Sequence, residues 1–178
     1  KYDVFYSEKS KKKSLSFLSS FDSSKIIVGL NISGSSLENR ICDDDVKKII
    51  LGLNSIRNDI LIILLHKPED RKWINRLITE DISSFVFPSF PTDSVLDLAA
   101  LVDSVDLIIS PDTSIVHMAC AFNKPLVAIY KRDMLAFEKW HPKSSCNRVI
   151  FSQDFDSLKF INVNNIVSKT SELIAQLT

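Results

Sequence analysis

The chain has 178 residues, 45% of them hydrophobic and 25% charged, a composition ordinary for one globular domain or one domain with a tail. Its 22 Lys and Arg balance 22 Asp and Glu, so no global field favours a nucleic acid or an anionic membrane. Three widely spaced cysteines form neither a disulfide framework nor a metal-type pair, and no apolar run approaches the roughly 18 residues that cross a bilayer.

A reducing, cytoplasmic setting fits this cysteine usage, and no signal-peptide core is present. The chain opens on Lys1 rather than Met, as expected of a piece of a longer protein. Residues 1–25 are rich in Ser and Lys with scattered aromatics, and read as a linker or a peripheral helix. At Ile26 the texture changes to a largely apolar run through Ile32, closed by Ser33-Gly34-Ser35-Ser36. A strand without alternation is buried on both faces, as in a parallel sheet covered by helices.

Asp43-Asp44-Asp45 opens a helix to about Ser55, with Val46, Ile49, Ile50 and Leu53 at helical spacing. Acidic residues there complement the helix dipole. Ile60 to Leu65 is a second buried strand, broken by His66-Lys67-Pro68, and a helix follows from Glu69 to about Thr79. Phe85 to Phe87 is a short third strand, and Asp93 to Asp103 is an amphipathic helix. Leu107 to Ile109 is the fourth strand, Ile115 to Phe122 its helix, and Leu126 to Tyr130 the fifth strand. Residues 131–147 read as irregular, Val149 to Phe151 as a sixth strand, and Val163 to Leu177 as a closing helix. Strand and helix thus alternate with short connections, which predicts an α/β fold: a Rossmann-like, doubly wound parallel sheet of about six strands with helices on both faces over residues 26–178.

Right-handed crossovers bring every strand-to-helix turn to one edge of such a sheet. That edge collects Ser33 to Ser36, His66 to Glu69, Phe90 to Asp93 and Ser110 to Ser114. At the last of these, Thr113 or Ser114 can cap a helix whose amides then favour an anion such as a diphosphate, with Asp112 beside it and His117 one turn along. The same spacing also fits a plain helix cap next to a core histidine. Arg40, four residues after Ser36, is positioned for a charge-assisted phosphate contact. The chain has three glycines and lacks both GxGxxG and GxxxxGK[ST], which argues against dinucleotide dehydrogenases and nucleoside triphosphate hydrolases. Its histidines and acids show no metal-ligand spacing and there is no GxSxG elbow, so neither a bound metal nor a cofactor is expected, nor serine hydrolysis.

With these residues in place, the chain resembles the C-terminal half of glycosyltransferase family nine, the lipopolysaccharide heptosyltransferases. The pattern D-T-x-x-x-H-x-A-x-A-x-x-x-P is present as Asp112-Thr113, His117, Ala119, Ala121 and Pro125. Ser94 to Asp106 is similar to the helix that precedes it in the family, Ile26 to Ser36 to the first strand and turn, and Trp140 and Pro142 to a later W-x-P loop. The resemblance implies one half of a GT-B fold, with an acceptor domain preceding this chain. It implies a nucleotide-diphosphate sugar donor such as ADP-heptose and a lipid-linked core oligosaccharide acceptor, with peripheral association of the full protein at the inner membrane face. Ser35, Ser36 and Arg40 would then meet the donor phosphates, while Asp112, Thr113, Ser114 and His117 line the diphosphate and sugar. Glu69 would bind ribose, Phe90 would lie near the adenine, and the catalytic base would stand on the opposing domain. Two departures are Ser114 where the family has Gly, and Tyr130-Lys131-Arg132-Asp133 where it has aromatic-Gly-Pro-Thr; Lys131 and Arg132 would bring charge to the same edge. A non-catalytic binding module and another GT-B enzyme, such as a sugar-nucleotide epimerase, remain as alternatives.

Overall fold

Six short apolar runs become six parallel strands: β1 (Ile26–Asn31), β2 (Ile60–Leu65), β3 (Val86–Pro88), β4 (Leu107–Pro111), β5 (Leu126–Tyr130) and β6 (Asn147–Phe151). Their spatial order is β3-β2-β1-β4-β5-β6. This is a computed structural model, and it describes residues 3–34 and 36–177.

Two-sided burial explains why the strands do not alternate. Val28, Leu30, Ile62, Leu64, Ile109 and Val127 face one core, packed under helices α2 (Asp43–Ile56), α3 (Arg71–Leu77) and α7 (Val163–Ile174). The intervening Ile63, Leu65, Ile108, Ala128 and Tyr130 face a second core, under α4 (Val95–Ser104) and α5 (Ser114–Ala121). The central strands therefore remove side chains from water on both faces at roughly 25 cal/mol per Å² of apolar surface, and the polar exceptions, Asn31 and Ser110, stand at or near strand ends where they bond one another.

The closing turn of α5 shows how one residue sets direction. Asn123 takes the left-handed conformation at φ 53°, and Lys124 N–H reaches back 2.8 Å to the Ala119 carbonyl. This closure satisfies the helix's last carbonyls and turns the chain into β5 at Pro125.

Three elements differ from the sequence expectations. Residues 131–147 are not irregular throughout: they contain α6 (Met134–Trp140), whose first amides at Leu135 and Ala136 are held by Asp133 Oδ1. No residue of α6 is fully buried; its seven residues place Met134, Phe137 and Trp140 at helical spacing, and of these Phe137 packs on the second core, a pattern too short to mark a helix against its irregular surroundings. The helix after β2 begins as a tight 3-10 turn over Pro68–Asp70 and becomes α-helical only at Arg71. That after β3 starts at Val95, because Ser94 rather than Asp93 accepts from the Asp97 amide.

Residues 1–25 contain α1 (Glu8–Leu18), which lies along α4 on the second core. Tyr6 donates to Asp103, a bond that pushes its phenol up to about 12. Lys13 Nζ reaches Asp93 at 2.7 Å and Asp97 at 2.9 Å. Burial pulls the Asp97 carboxyl upward, but hydrogen bonds from Lys13, Ser10 and the Asp93 amide outweigh it and hold it below the ordinary carboxylate range. Phe90 is covered from this side, with Phe17 edge-on at 5.4 Å and Lys13 over its ring at 5.2 Å.

Candidate functional site

Strand order reverses between β1 and β4: β1 leads outward to β2 and β3, whereas β4 leads the other way to β5 and β6. The loops leaving β1 and β4 therefore part above the sheet, and an open crevice forms at that point. A cavity of about 490 Å³ occupies it, with Asn31, Ser33 and Gly34 from the end of β1 and Asp112, Thr113 and Ser114 from the start of α5. His66 to Pro68 close one end, and Thr92 to Val95 with Leu98 form the far wall. Because Asp93 belongs to that wall, the Lys13 contacts fasten α1 to the side of the cavity.

Asn31 organises the floor. It is 2% exposed at the end of an otherwise apolar strand. Its amide donates to Ser110 Oγ at 3.0 Å and to Thr113 Oγ1 at 3.1 Å, and its Oδ1 accepts from Ser33 N–H at 3.2 Å. One side chain thus ties the loop after β1 to the cap of α5. Thr113 in turn accepts from the Ile115 amide at 3.3 Å, while Asp112 N–H is taken by the Ile129 carbonyl at 3.0 Å. Among the described residues no acceptor meets the Thr113 or Ser114 amide, so these two donors stand at the positive end of the α5 dipole, beside the cavity.

Asp112 stands between this cavity and a smaller one of about 260 Å³ bordered by Tyr130, Lys131 and Asp133. Its side chain reaches solvent but sits in a crevice that strips away much of its hydration. Burial raises its carboxyl above the ordinary carboxylate range, and the charges of His117 and Lys131 oppose that rise only in part. The folded chain therefore holds the Asp112 proton more tightly than the unfolded chain does. The corresponding stability is full in acid and is lost as pH rises through the raised value. Asp112→Asn is expected to raise the melting temperature at neutral pH by about 1–2 °C, with the gain disappearing at about pH 4. Thermal melts at the two pH values check it; an equal or larger gain in acid would contradict it.

The candidate residues divide into two groups. Asp112, Thr113 and Ser114 come together at the cavity. Ser114 is the first residue of α5 and is not among the residues with positive φ, so the glycine of the family pattern is not required there for backbone reasons. Ser36 is exposed and turned towards Glu38, Glu69 is exposed on its 3-10 turn, and neither lines the cavity. Arg40 is drawn away by Asp70, at 3.0 Å, and lies 4.1 Å over the Trp73 ring; Ser33 Oγ bonds the same carboxylate at 2.8 Å. His117 packs its ring against Trp140 at 5.7 Å and borders neither cavity. Phe90 likewise stays outside, beneath α1. Ser35 lies outside the described residues.

Sequence reading put Gly34 and His66 on the edge without counting them among the ligand-contacting residues, and passed over Asn31. A polar residue ending an apolar buried strand is the signal that marks both Asn31 and His66. Among the described residues no three His, Cys, Asp or Glu side chains gather as metal ligands, and no helix is long and apolar enough to cross a membrane.

Solved structures share this fold. ADP-heptose LPS heptosyltransferase II of E. coli is 18% identical with a TM-score of 0.77, over 98% of this chain and 54% of its own. A family 9 glycosyl transferase of Veillonella parvula is 16% identical with a TM-score of 0.80, again over 98% and 54%. E. coli heptosyltransferase WaaC with ADP is 16% identical with a TM-score of 0.69, over 90% and 48%. The chain thus spans about half the length of these enzymes. Comparison with curated proteins finds no match. The family described as glycosyltransferase family 9 (heptosyltransferase) matches residues 51–160, well over half of the chain and including every element from the end of α2 to β6. Together with the crevice between β1 and β4, that match places the chain in glycosyltransferase family 9.

Proposed function

We propose that this chain is the donor-binding half of a heptosyltransferase-like glycosyltransferase. It would hold a nucleoside diphosphate sugar, ADP-heptose first among them, for transfer to a lipopolysaccharide or lipooligosaccharide core. The observation that carries this reading is the roughly 490 Å³ cavity at the strand-order reversal, into which the α5 N-terminus and Asp112 to Ser114 open. In transfer, the bond from the sugar's anomeric carbon to the diphosphate oxygen breaks as a bond from the acceptor oxygen forms. The acceptor proton passes to a base, and negative charge collects on the departing diphosphate. The Thr113 and Ser114 amides and the α5 dipole stabilise that charge at fixed positions. Lys67 at one end of the cavity and Lys131 beside Asp112 add countercharge. The base and the acceptor site belong to a second domain facing this edge, and the complete enzyme works at the inner face of the cytoplasmic membrane.

ADP is the first ligand to test, and its presence in the WaaC structure supports that choice. Held at one hundred times its dissociation constant, it contributes about 2.7 kcal/mol to the folded state. This corresponds to a rise of roughly 5–11 °C in melting temperature for a domain of this size. Thr113→Ala is expected to remove most of that rise while leaving a cooperative melt. A flat response of the parent chain to millimolar ADP, ADP-sugar and UDP alike would sink the proposal.

A further inference from the structure

We infer that the outer face of α1 docks on an anionic lipid bilayer, with Lys9, Lys11 and Lys12 against headgroup phosphates and Leu15 entering the interface. Four of the eleven residues of α1 are lysines, and Glu8 is its one acid, in a chain whose charges balance overall. Lys13 has its place in the fold, on Asp93 and Asp97. Lys9, Lys11 and Lys12 are exposed, and among the described residues no carboxylate lies within ion-pair distance of them. The helix buries Ser10 and Ser14 instead. Folding does not account for the three lysines. Lys9, in the first turn, opposes the helix dipole, and it stands one turn from Lys12 and Lys13 as a like charge. The acids of α4 and its approach are engaged elsewhere, Asp93 and Asp97 by Lys13 and Asp103 by Tyr6. The partner that fits such a face is a negatively charged surface outside the chain.

Apolar groups among the lysines select lipid from the possible polyanions. Leu15 is 51% exposed, one turn beyond Lys11 and Lys12, and Phe5, just before the helix, is 81% exposed. Such side chains gain from entering the acyl boundary of a headgroup layer, whereas the phosphate backbone of a duplex offers them no apolar surface. The choice of lipid also rests on the lipid-linked acceptor proposed above. Lys13, on the same helix, holds Asp93 of the cavity wall. A bilayer seated on α1 therefore lies beside the donor cavity, where that acceptor must arrive. Each lysine near an anionic surface is worth roughly fivefold in partitioning, so the three together are worth roughly a hundredfold.

Cosedimentation with vesicles of phosphatidylcholine, alone or mixed with phosphatidylglycerol, tests this. The chain is expected to bind the mixed vesicles roughly a hundredfold more tightly than the neutral ones. Salt at roughly 1 M, where the Debye length is about 3 Å, is expected to abolish the difference. Lys9→Gln, Lys11→Gln and Lys12→Gln made together are expected to remove the preference while leaving the melting temperature and ADP affinity unchanged. The same loss of charge at Lys48, Lys72 and Lys139, exposed on α2, α3 and α6, is expected to leave most of it. Leu15→Ser is expected to weaken vesicle binding roughly tenfold. Equal binding to neutral and mixed vesicles overturns the inference. So does an equal loss in the two lysine variants, which would make net charge alone responsible. Binding of a DNA duplex as tightly as the mixed vesicles, untouched by Leu15→Ser, overturns it as well, because the face would then take any polyanion. Vesicle binding of the expected kind without nucleotide binding fells the donor reading and leaves this face standing; nucleotide binding without vesicle binding does the reverse.

Discussion

Asn31→Ala is expected to lower the melting temperature by about 6–12 °C and to weaken nucleoside diphosphate binding by more than tenfold, although Asn31 carries no charge. The side chain is buried at the end of β1 and makes three hydrogen bonds, one accepted from Ser33 N–H and two donated to Ser110 and Thr113. Truncation leaves the buried Ser33 amide without its acceptor, a loss of about 1–3 kcal/mol. Removing the two donated bonds brings the total to about 3 kcal/mol, or 2–4 °C for each of these in a domain of this size. Ser110 keeps its own bond to the Pro111 carbonyl at 2.7 Å, which limits the damage to the sheet. Thr113 loses the Asn31 donor and keeps the longer contact with the Ser110 hydroxyl at 3.2 Å, so the open amides of α5 are held less firmly against a ligand. Denaturation midpoints and ADP titration measured on the same variant check both parts. A stability loss without a binding loss would show that the α5 cap stands without Asn31.

Gly34→Ala is expected to cost about 2 kcal/mol and to abolish measurable ADP binding. A Cβ built at Gly34 would sit 2.2 Å from the Asn39 carbonyl oxygen and 2.5 Å from its carbon. Both are backbone atoms, so the obstruction cannot be relieved by turning a side chain. The two passes of the loop after β1 would have to separate, and overpacking of that kind costs about 1–3 kcal/mol. Gly34 lines the cavity, and Asn39 borders the smaller one beside Asp112, so the displacement distorts the ligand space directly. Gly29→Ala is the informative control: there the Cβ meets Ile108 Cδ1 at 2.8 Å, the far end of a flexible side chain. It should cost less and leave ADP binding within twofold. Equal effects of the two substitutions on binding would refute the assignment of Gly34 to the cavity wall.

Much of the fold was legible because two-sided burial leaves a mark in composition. Ile60 to Leu65 has no polar residue at all, and only a strand covered on both faces tolerates that. α6 was not legible, since it is two turns long, fully buries no residue, and its start depends on a single Asp133 cap. At the site, Asp112 to Ser114 announced themselves through position, a polar turn between an apolar strand and an apolar helix. Arg40 misled by proximity: it stands four residues from Ser36 in sequence, yet Asp70, thirty positions further on, provides the carboxylate that holds it. His117 kept its place in the family pattern, but Trp140 from α6 takes its ring. Both cases turn on a partner that is distant along the chain, and no local spacing encodes such a partner.

By itself the sequence determined the six strands and most of the helices, α6 excepted, that the strands run parallel, and that the strand-to-helix turns share one edge. These follow from local burial and from the handedness of the crossover. Only the tertiary structure decided the order β3-β2-β1-β4-β5-β6. That order depends on which hydrophobic faces pack together, a choice made among elements far apart in the chain. It puts β1 and β4 side by side, and so turns Asn31 and Thr113, separated by 82 positions, into hydrogen-bonded neighbours beneath one cavity.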